Sequence, residues 1–244
     1  MNTSAHQSSL IQLHNLTVQR QGRVLIDEMS LRLPSTGLWV LLGANGAGKS
    51  SLLRLLAGVS TATSGQIEFA DGVEIGWMAE PARFYRQLTV LEHLRLQADL
   101  LDLANPEQAV QRVLEEWGLN TVKNQLTEHL SLGYRQRLSL AGALLAPVNV
   151  LLLDEPMNGM DPMLMKHFKS FLAEFKQHNL VLMATHLMAE VSKLTDCAVA
   201  MHQGQLLAQH DFQQHAVTAV DLLHFYQNSF ADWQKIITDE KAAI

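Results

Sequence analysis

The stretch LWVLLGANGAGKSS, Leu38 to Ser51, decides the fold. Its first six residues are a continuous apolar run ending in Gly43, the texture of a strand buried on both faces. From Gly43 to Ser50 the chain then reads Gly, four residues, Gly-Lys-Ser, which is the phosphate-loop pattern. The following SLLRLLAG places apolar residues at 52, 53, 55 and 56 and stops at Gly58, as a short buried helix does. Strand, glycine-rich turn and helix, in that order, are the context that gives the pattern its meaning. Glycines let the backbone wrap so that N–H groups face a phosphate, and the helix N-terminus adds partial positive charge. The expected contacts run through Gly43, Asn45, Gly46, Ala47, Gly48, Lys49, Ser50 and Ser51. Lys49 is placed to bridge the β- and γ-phosphates of ATP, and Ser50 to ligate Mg²⁺.

Working outward, Leu10 to Val18 and Val24 to Leu33 read as two strands around a Gln21-Gly22 turn. Gln66 to Phe69, Val73 to Met78, Val148 to Leu153 and Leu180 to Ala184 read as further strands, with more near Met201 and Leu207. Between about 81 and 146 the pattern turns helical. Val90, Leu94, Ala98 and Leu101 share one face, and Ala109, Val113, Leu114 and Trp117 another, with Asn105-Pro106 supplying a cap and a first-turn proline. A helix follows over Met163 to Phe175. Alternating strands and helices predict an α/β fold with a mostly parallel sheet covered on both sides.

Two more segments carry chemistry. VLLLDEP, Val150 to Pro156, ends a buried strand in Asp154, a carboxylate suited to holding Mg²⁺, followed by Glu155, a candidate general base for an attacking water. LSLGYRQR, Leu130 to Arg137, offers Ser131, the Gly133 backbone and a helix N-terminus as a second anion-binding cap. One chain has no need of two phosphate caps, whereas two chains facing each other would use both.

These motifs resemble the nucleotide-binding domain of the ABC (ATP-binding cassette) superfamily from about residue 11 to 209. LSLGYRQR resembles the signature LSGGQ-QR, MNGMDP (Met157 to Pro162) the dimer-contact loop, and Thr185-His186 the switch histidine. The resemblance implies a P-loop NTPase of ABC type, with a RecA-like sheet core, an antiparallel β subdomain and a helical subdomain. It implies two copies sandwiching two ATP head to tail, each phosphate loop facing the other copy's Ser131 and Gly133. Glu155 would be the base, His186 would contact the γ-phosphate, and Asp161 would couple the two sites.

Three positions depart from the family pattern. Arg20 stands where an aromatic residue usually stacks on adenine, and a guanidinium plane can also stack on a base. Glu80 stands where a glutamine usually joins the two lobes, and its carboxylate is a hard ligand that can serve Mg²⁺ while adding charge. Leu132 and Tyr134 replace a Gly and the Gln of the signature, with Ser131 and Gly133 retained. The acid at 80, with LSxGYRQR, is similar to ATPase subunits of ABC-2-type exporters, including the gliding-motility and nitrous-oxide-reductase-maturation groups.

The expected organisation is a flexible leader over 1–9, the nucleotide-binding domain over 10–210 and a helical tail over 211–244. In the tail Leu222, Tyr226, Phe230, Trp233 and Ile237 share a face. That stripe would pack on its own domain or a dimer mate, or else dock a partner. The 244 residues, 48% hydrophobic and 17% charged, suit a globular chain. No apolar run approaches the roughly 20 residues of a membrane span, and the N-terminus lacks signal-peptide regions. The lone Cys197, in an apolar run, excludes an internal disulfide. A net charge of −6 argues against a broad nucleic-acid surface. The expectation is therefore a cytoplasmic ATPase, bound at the inner face of the membrane through a separate permease that it drives. The alternative is a non-transport ABC ATPase, for example in Fe–S assembly. Ribosome-acting relatives carry two cassettes and DNA-repair types long inserts, and this chain has neither.

Overall fold

The computed structural model describes residues 9–212 and 216–242, with side chains as far as 235. All but Ser9 of the expected leader, and the Ile237 side chain of the expected tail stripe, lie outside the described residues. Strand β1 (Ile11–Arg20) and strand β2 (Arg23–Leu33) form an antiparallel hairpin that pairs Arg20 with Arg23. Its two turn residues, Gln21 and Gly22, both have positive φ (49° and 74°), as the twist-matching two-residue turn requires. Strand β3 (Gly37–Leu42) then enters the centre of a second sheet, and α1 (Lys49–Leu56) follows the phosphate-loop segment. Strand β4 (Ser64–Phe69) returns to pair with β1, completing a three-stranded antiparallel sheet in the order β2-β1-β4.

After β5 (Ile75–Met78) come three helices, α2 (Val90–Leu100), α3 (Pro106–Glu116) and α4 (Leu132–Ala143). Thr89 and Glu92 close a full capping box on α2. At α3, Pro106 takes the first helical position as expected, but the Asn105 side chain makes no capping bond. Val90, Leu94 and Ala98 are buried, whereas Leu101 is half exposed (51%), because the helix ends before it and its side chain leaves the buried face. Trp117, just past α3, is buried against the rings of His167 and Phe171, at 5.0 and 5.3 Å. Those two residues belong to α5 (Pro162–Phe175), which follows β6 (Val150–Asp154). The chain continues through β7 (Leu180–Ala184), the short α6 (Met188–Val191), β8 (Cys197–His202), β9 (Gln205–Asp211) and α7 (Ala219–Ala242).

The six-stranded sheet runs β5-β6-β7-β3-β8-β9, parallel except at β9, which pairs antiparallel with β8. Its central strands are covered on both faces, which is why they read as unbroken apolar runs. Alternate side chains face two cores. Val40, Leu42, Leu153 and Met183 meet the helical side, while Trp39, Leu41, Leu152 and Leu182 meet α1 and the antiparallel sheet. Cys197 is buried on β8, and burial pushes its thiol up to about 12, which makes it a core residue. Register brings the carboxyl ends of three strands level, Leu41 and Asp154 both facing Ala184. In an open α/β sheet that edge is where ligands bind.

Candidate active site

The loop after β3 is shaped by what lies beneath it. A Cβ on Gly43 would come within 2.6 Å of the Met201 carbonyl, and one on Gly48, at φ +103°, within 2.6 Å of the Leu25 carbonyl. Only glycine allows both approaches. Ala47 is buried and its carbonyl accepts the Gly204 N–H at 3.0 Å, while Asn45 and Gly46 face outward. Lys49 opens α1 and turns its ammonium back across the loop, donating to the carbonyls of Gly43 (2.7 Å) and Ala44 (3.2 Å). Burial holds that ammonium below its ordinary value, while the Glu155 and Asp154 carboxylates pull it back up. Ser51 follows in the first turn, half-buried.

Ser50 Oγ donates to Asp154 Oδ1 at 3.0 Å across the gap between α1 and the end of β6. Asp154 is buried, and desolvation raises its carboxyl above the ordinary range against the pull of Ser50, Arg54 and Lys49. A buried carboxylate beside a hydroxyl is a pair of hard oxygens that a small cation would relieve. Among the described residues no three acidic, histidine or cysteine side chains converge as a metal cage. The pair supplies one carboxylate and one hydroxyl, oxygen donors of the kind Mg²⁺ takes.

Glu155 follows at φ +47°, a left-handed backbone that a non-glycine residue adopts at a cost of about 1–3 kcal/mol. Its N–H is tied to the Ala184 carbonyl at 2.8 Å, and its Oε2 lies 2.8 Å from Nδ1 of His186, beyond β7. The His186 N–H donates to the same oxygen at 3.3 Å. The strained turn thus aims the carboxylate at a histidine 31 residues further on.

The remaining predicted residues stand apart from this cluster. The Arg20 guanidinium, at the hairpin end, donates to the Thr61 carbonyl at 3.1 Å. The Glu80 carboxylate accepts from the buried Gln136 amide of α4 at 3.4 Å, and its carbonyl accepts from Arg54. Ser131 is exposed and caps α4 through a long 3.5 Å bond from the Tyr134 N–H, with Gly133 beside the Gly159 carbonyl. Asp161 has work within its own chain. It caps α5 through the Leu164 N–H at 2.9 Å and pairs with Arg137 at 2.8 Å, and both hold its carboxyl below the usual range.

Sequence reading passed over Arg137, Gln136 and the turn beneath the loop. Asp161 followed by Pro162 is a capping signal that the sequence does carry, whereas the Gln136 and Gly204 partnerships have no local signature.

The sequence model of one family, described as ABC transporter, matches residues 26–158. A bacitracin transport ATP-binding protein, BcrA, of Bacillus licheniformis is 33% identical over 217 residues, covering 84% of this chain and 71% of the relative. A lantibiotic transport ATP-binding protein, SrtF, of Streptococcus pyogenes is 26% identical over 83% of this chain and 91% of the relative. A solved ATP-binding cassette, described as a dimeric post-hydrolysis state bound to ADP and Pi, superposes with a TM-score of 0.74 at 17% identity. That superposition covers 84% of this chain and all of the other, and it shows the likeness of fold.

Proposed function

The chain belongs to the ABC transporter family, and from that premise we propose that it is the ATP-hydrolysing subunit of an ABC-2-type exporter, closing in pairs on two ATP molecules to drive a separate permease. The observation that carries the catalytic part is the contact between Glu155 and His186, one residue beyond the buried Asp154–Ser50 pair.

The phosphate-loop N–H groups and Lys49 hold the triphosphate, Lys49 exchanging its carbonyl partners for β- and γ-phosphate oxygens. Ser50 and Asp154 would hold Mg²⁺, which when bound neutralises phosphate charge and polarises the phosphoryl oxygens. Glu155 accepts a proton from the water that attacks the γ-phosphorus as the bond to the ADP oxygen breaks. His186 fixes the Glu155 carboxylate through Nδ1 and faces the γ-phosphate. Arg20, anchored on Thr61, presents its plane to the adenine. Glu80 would serve the metal by releasing Gln136.

Pairing is supported by Ser131 and Gly133, which stand at the N-terminus of a 12-residue helix whose first turn is open to solvent. Asp161 would lie at the seam between copies. A separate permease is supported by the relatives' transport names, and among the described residues no helix is long and apolar enough to cross a membrane. A groove of about 600 Å³ between the lobes, lined by Arg54, Glu80, Arg83, Phe84 and Leu101, is where a permease's cytoplasmic segment would dock.

Glu155→Gln is the direct test. It should cut ATP turnover by about 10³-fold or more while ATP still holds two copies together. Rapid hydrolysis by that variant removes Glu155 as the base.

A further inference from the structure

The C-terminal helix α7 rests on the hairpin that supports the phosphate loop. The β8–β9 turn is a two-residue hairpin, Gln203-Gly204, with both φ values positive (46° and 86°) and His202 paired with Gln205 across it. Three bonds tie this turn into the site. The Gly204 N–H donates to the Ala47 carbonyl inside the phosphate loop at 3.0 Å, and the Gly204 carbonyl accepts the Asp27 N–H at 3.0 Å. Gln205 Nε2 donates to Asp27 Oδ2 at 2.8 Å. Just before the turn, the Met201 carbonyl is the atom that no side chain at Gly43 could clear.

Helix α7 grips both residues that flank the turn. Trp233 Nε1 donates to Gln205 Oε1 at 3.0 Å. The His202 ring meets Trp233 edge-on at 4.5 Å and Phe230 at 4.8 Å, and those two rings stack on each other at 5.8 Å. Leu222, fully buried, anchors the start of the helix to the domain. A side chain of the tail therefore reaches the phosphate loop through one residue, Gln205, and one backbone bond.

We propose that Trp233 is a positioning residue for ATP binding: through Gln205 and His202 it holds the hairpin that fixes the phosphate loop in its binding shape. Gln205 makes the coupling firm, because its amide is satisfied at one end by the tail and at the other by β2. When Trp233 is removed, Gln205 loses one partner, His202 loses its aromatic wall, and the turn under Ala47 gains freedom. The loop must then be ordered by the nucleotide itself, which weakens binding of ground state and transition state alike. Linkage is reciprocal, so ATP must in turn tighten the docking of α7.

This inference rests on the phosphate loop taking ATP, and the experiment separates the two. In the full-length chain, Trp233→Ala should raise the ATP Kd and KM about fivefold while kcat changes less than about twofold. Gln205→Met, which changes no residue of α7 but removes both the acceptor of Trp233 Nε1 and the donor to Asp27, should give the same split. Trp233→Phe keeps the ring against His202 and loses the donor, so it should fall between. Leu223→Ala, on the exposed side of the same helix, should bind as the unaltered chain does. Hydrogen exchange along α7 should slow when ATP is added to Glu155→Gln. Unchanged Kd in a folded Trp233→Ala or, where that variant fails to fold, in Trp233→Phe, or a fall in kcat at constant KM, overturns the proposal. Failure of the unaltered chain to bind ATP overturns the site reading as well.

Discussion

Asp154 lies under opposing influences. Burial makes its charge unfavourable, while Ser50, Arg54 and Lys49 favour it, and burial is the larger effect. Its carboxyl titrates higher in the folded chain than in the unfolded one. Ionised Asp154 therefore opposes folding above the raised folded-state value, and the opposition disappears as pH falls below the unfolded value. Asp154→Asn should accordingly melt at a higher temperature than the unaltered chain at neutral pH without nucleotide, the gap closing as the solution is acidified. Hydrolysis of ATP should fall on the order of 10²-fold in the same variant. A lower melting temperature at neutral pH would show that the attractions outweigh burial. Glu155 shows a second form of the same trade, accepting a left-handed backbone so that its carboxylate meets His186. Stability is given up at these two positions, where the proposed reaction would need a charge or a direction.

Elements transmit what residues begin. Helix α2 starts with Thr89 accepting the Glu92 N–H at 3.2 Å while Glu92 accepts the Thr89 N–H at 2.8 Å. The Glu92 carboxyl lies below its ordinary value first because of that backbone N–H. Thr89→Ala should destabilise the chain by about 1 kcal/mol, read from denaturant unfolding, with ATP Kd unchanged, because α2 packs on α3 and α4. Helix α4 begins at Ser131, carries Gln136 to Glu80, and sends Arg137 both to Asp161 and to the Trp117 carbonyl. It thereby links the helical lobe with the segment after β5 and with the start of α5. These bonds cross 56 and 24 residues of sequence, so no local pattern foretells them. The Thr-x-x-Glu of α2 and the tail stripe were, by contrast, written in local spacing.

At the scale of the whole molecule, the catalytic edge of the sheet and the groove between the lobes meet at Glu80, which lines the groove and is bonded to both Arg54 and Gln136. A permease helix seated there would press on Glu80 and, through Gln136, on the helix that begins at Ser131. Leu101 was expected to face the lobe's core and instead lines this groove, half exposed. Leu101→Glu should leave ATP hydrolysis by the isolated chain within about twofold of normal, as for a surface change away from the chemistry. It should also abolish recovery of a polytopic membrane protein with the tagged chain from detergent extract. Undiminished recovery would place the permease elsewhere.

The sequence by itself determined the phosphate loop, the buried strands that flank it, the acid pair at the end of β6 and the family. Each is encoded within a few consecutive residues: apolar runs where a strand is covered on both faces, glycines where backbone passes close to backbone, an acid where a strand ends. Only the tertiary structure decided that Asp161 pairs with Arg137, that Glu80 is bonded to Gln136, and that Trp233 stands on the hairpin under Ala47. Those contacts depend on sheet order and on how helices lie across it. Register levels Leu41 with Asp154 and Ala184, which lie 113 and 143 residues further along the chain but on neighbouring strands of the sheet. Side-chain types limit which partners are chemically possible, and long-range packing selects one of them.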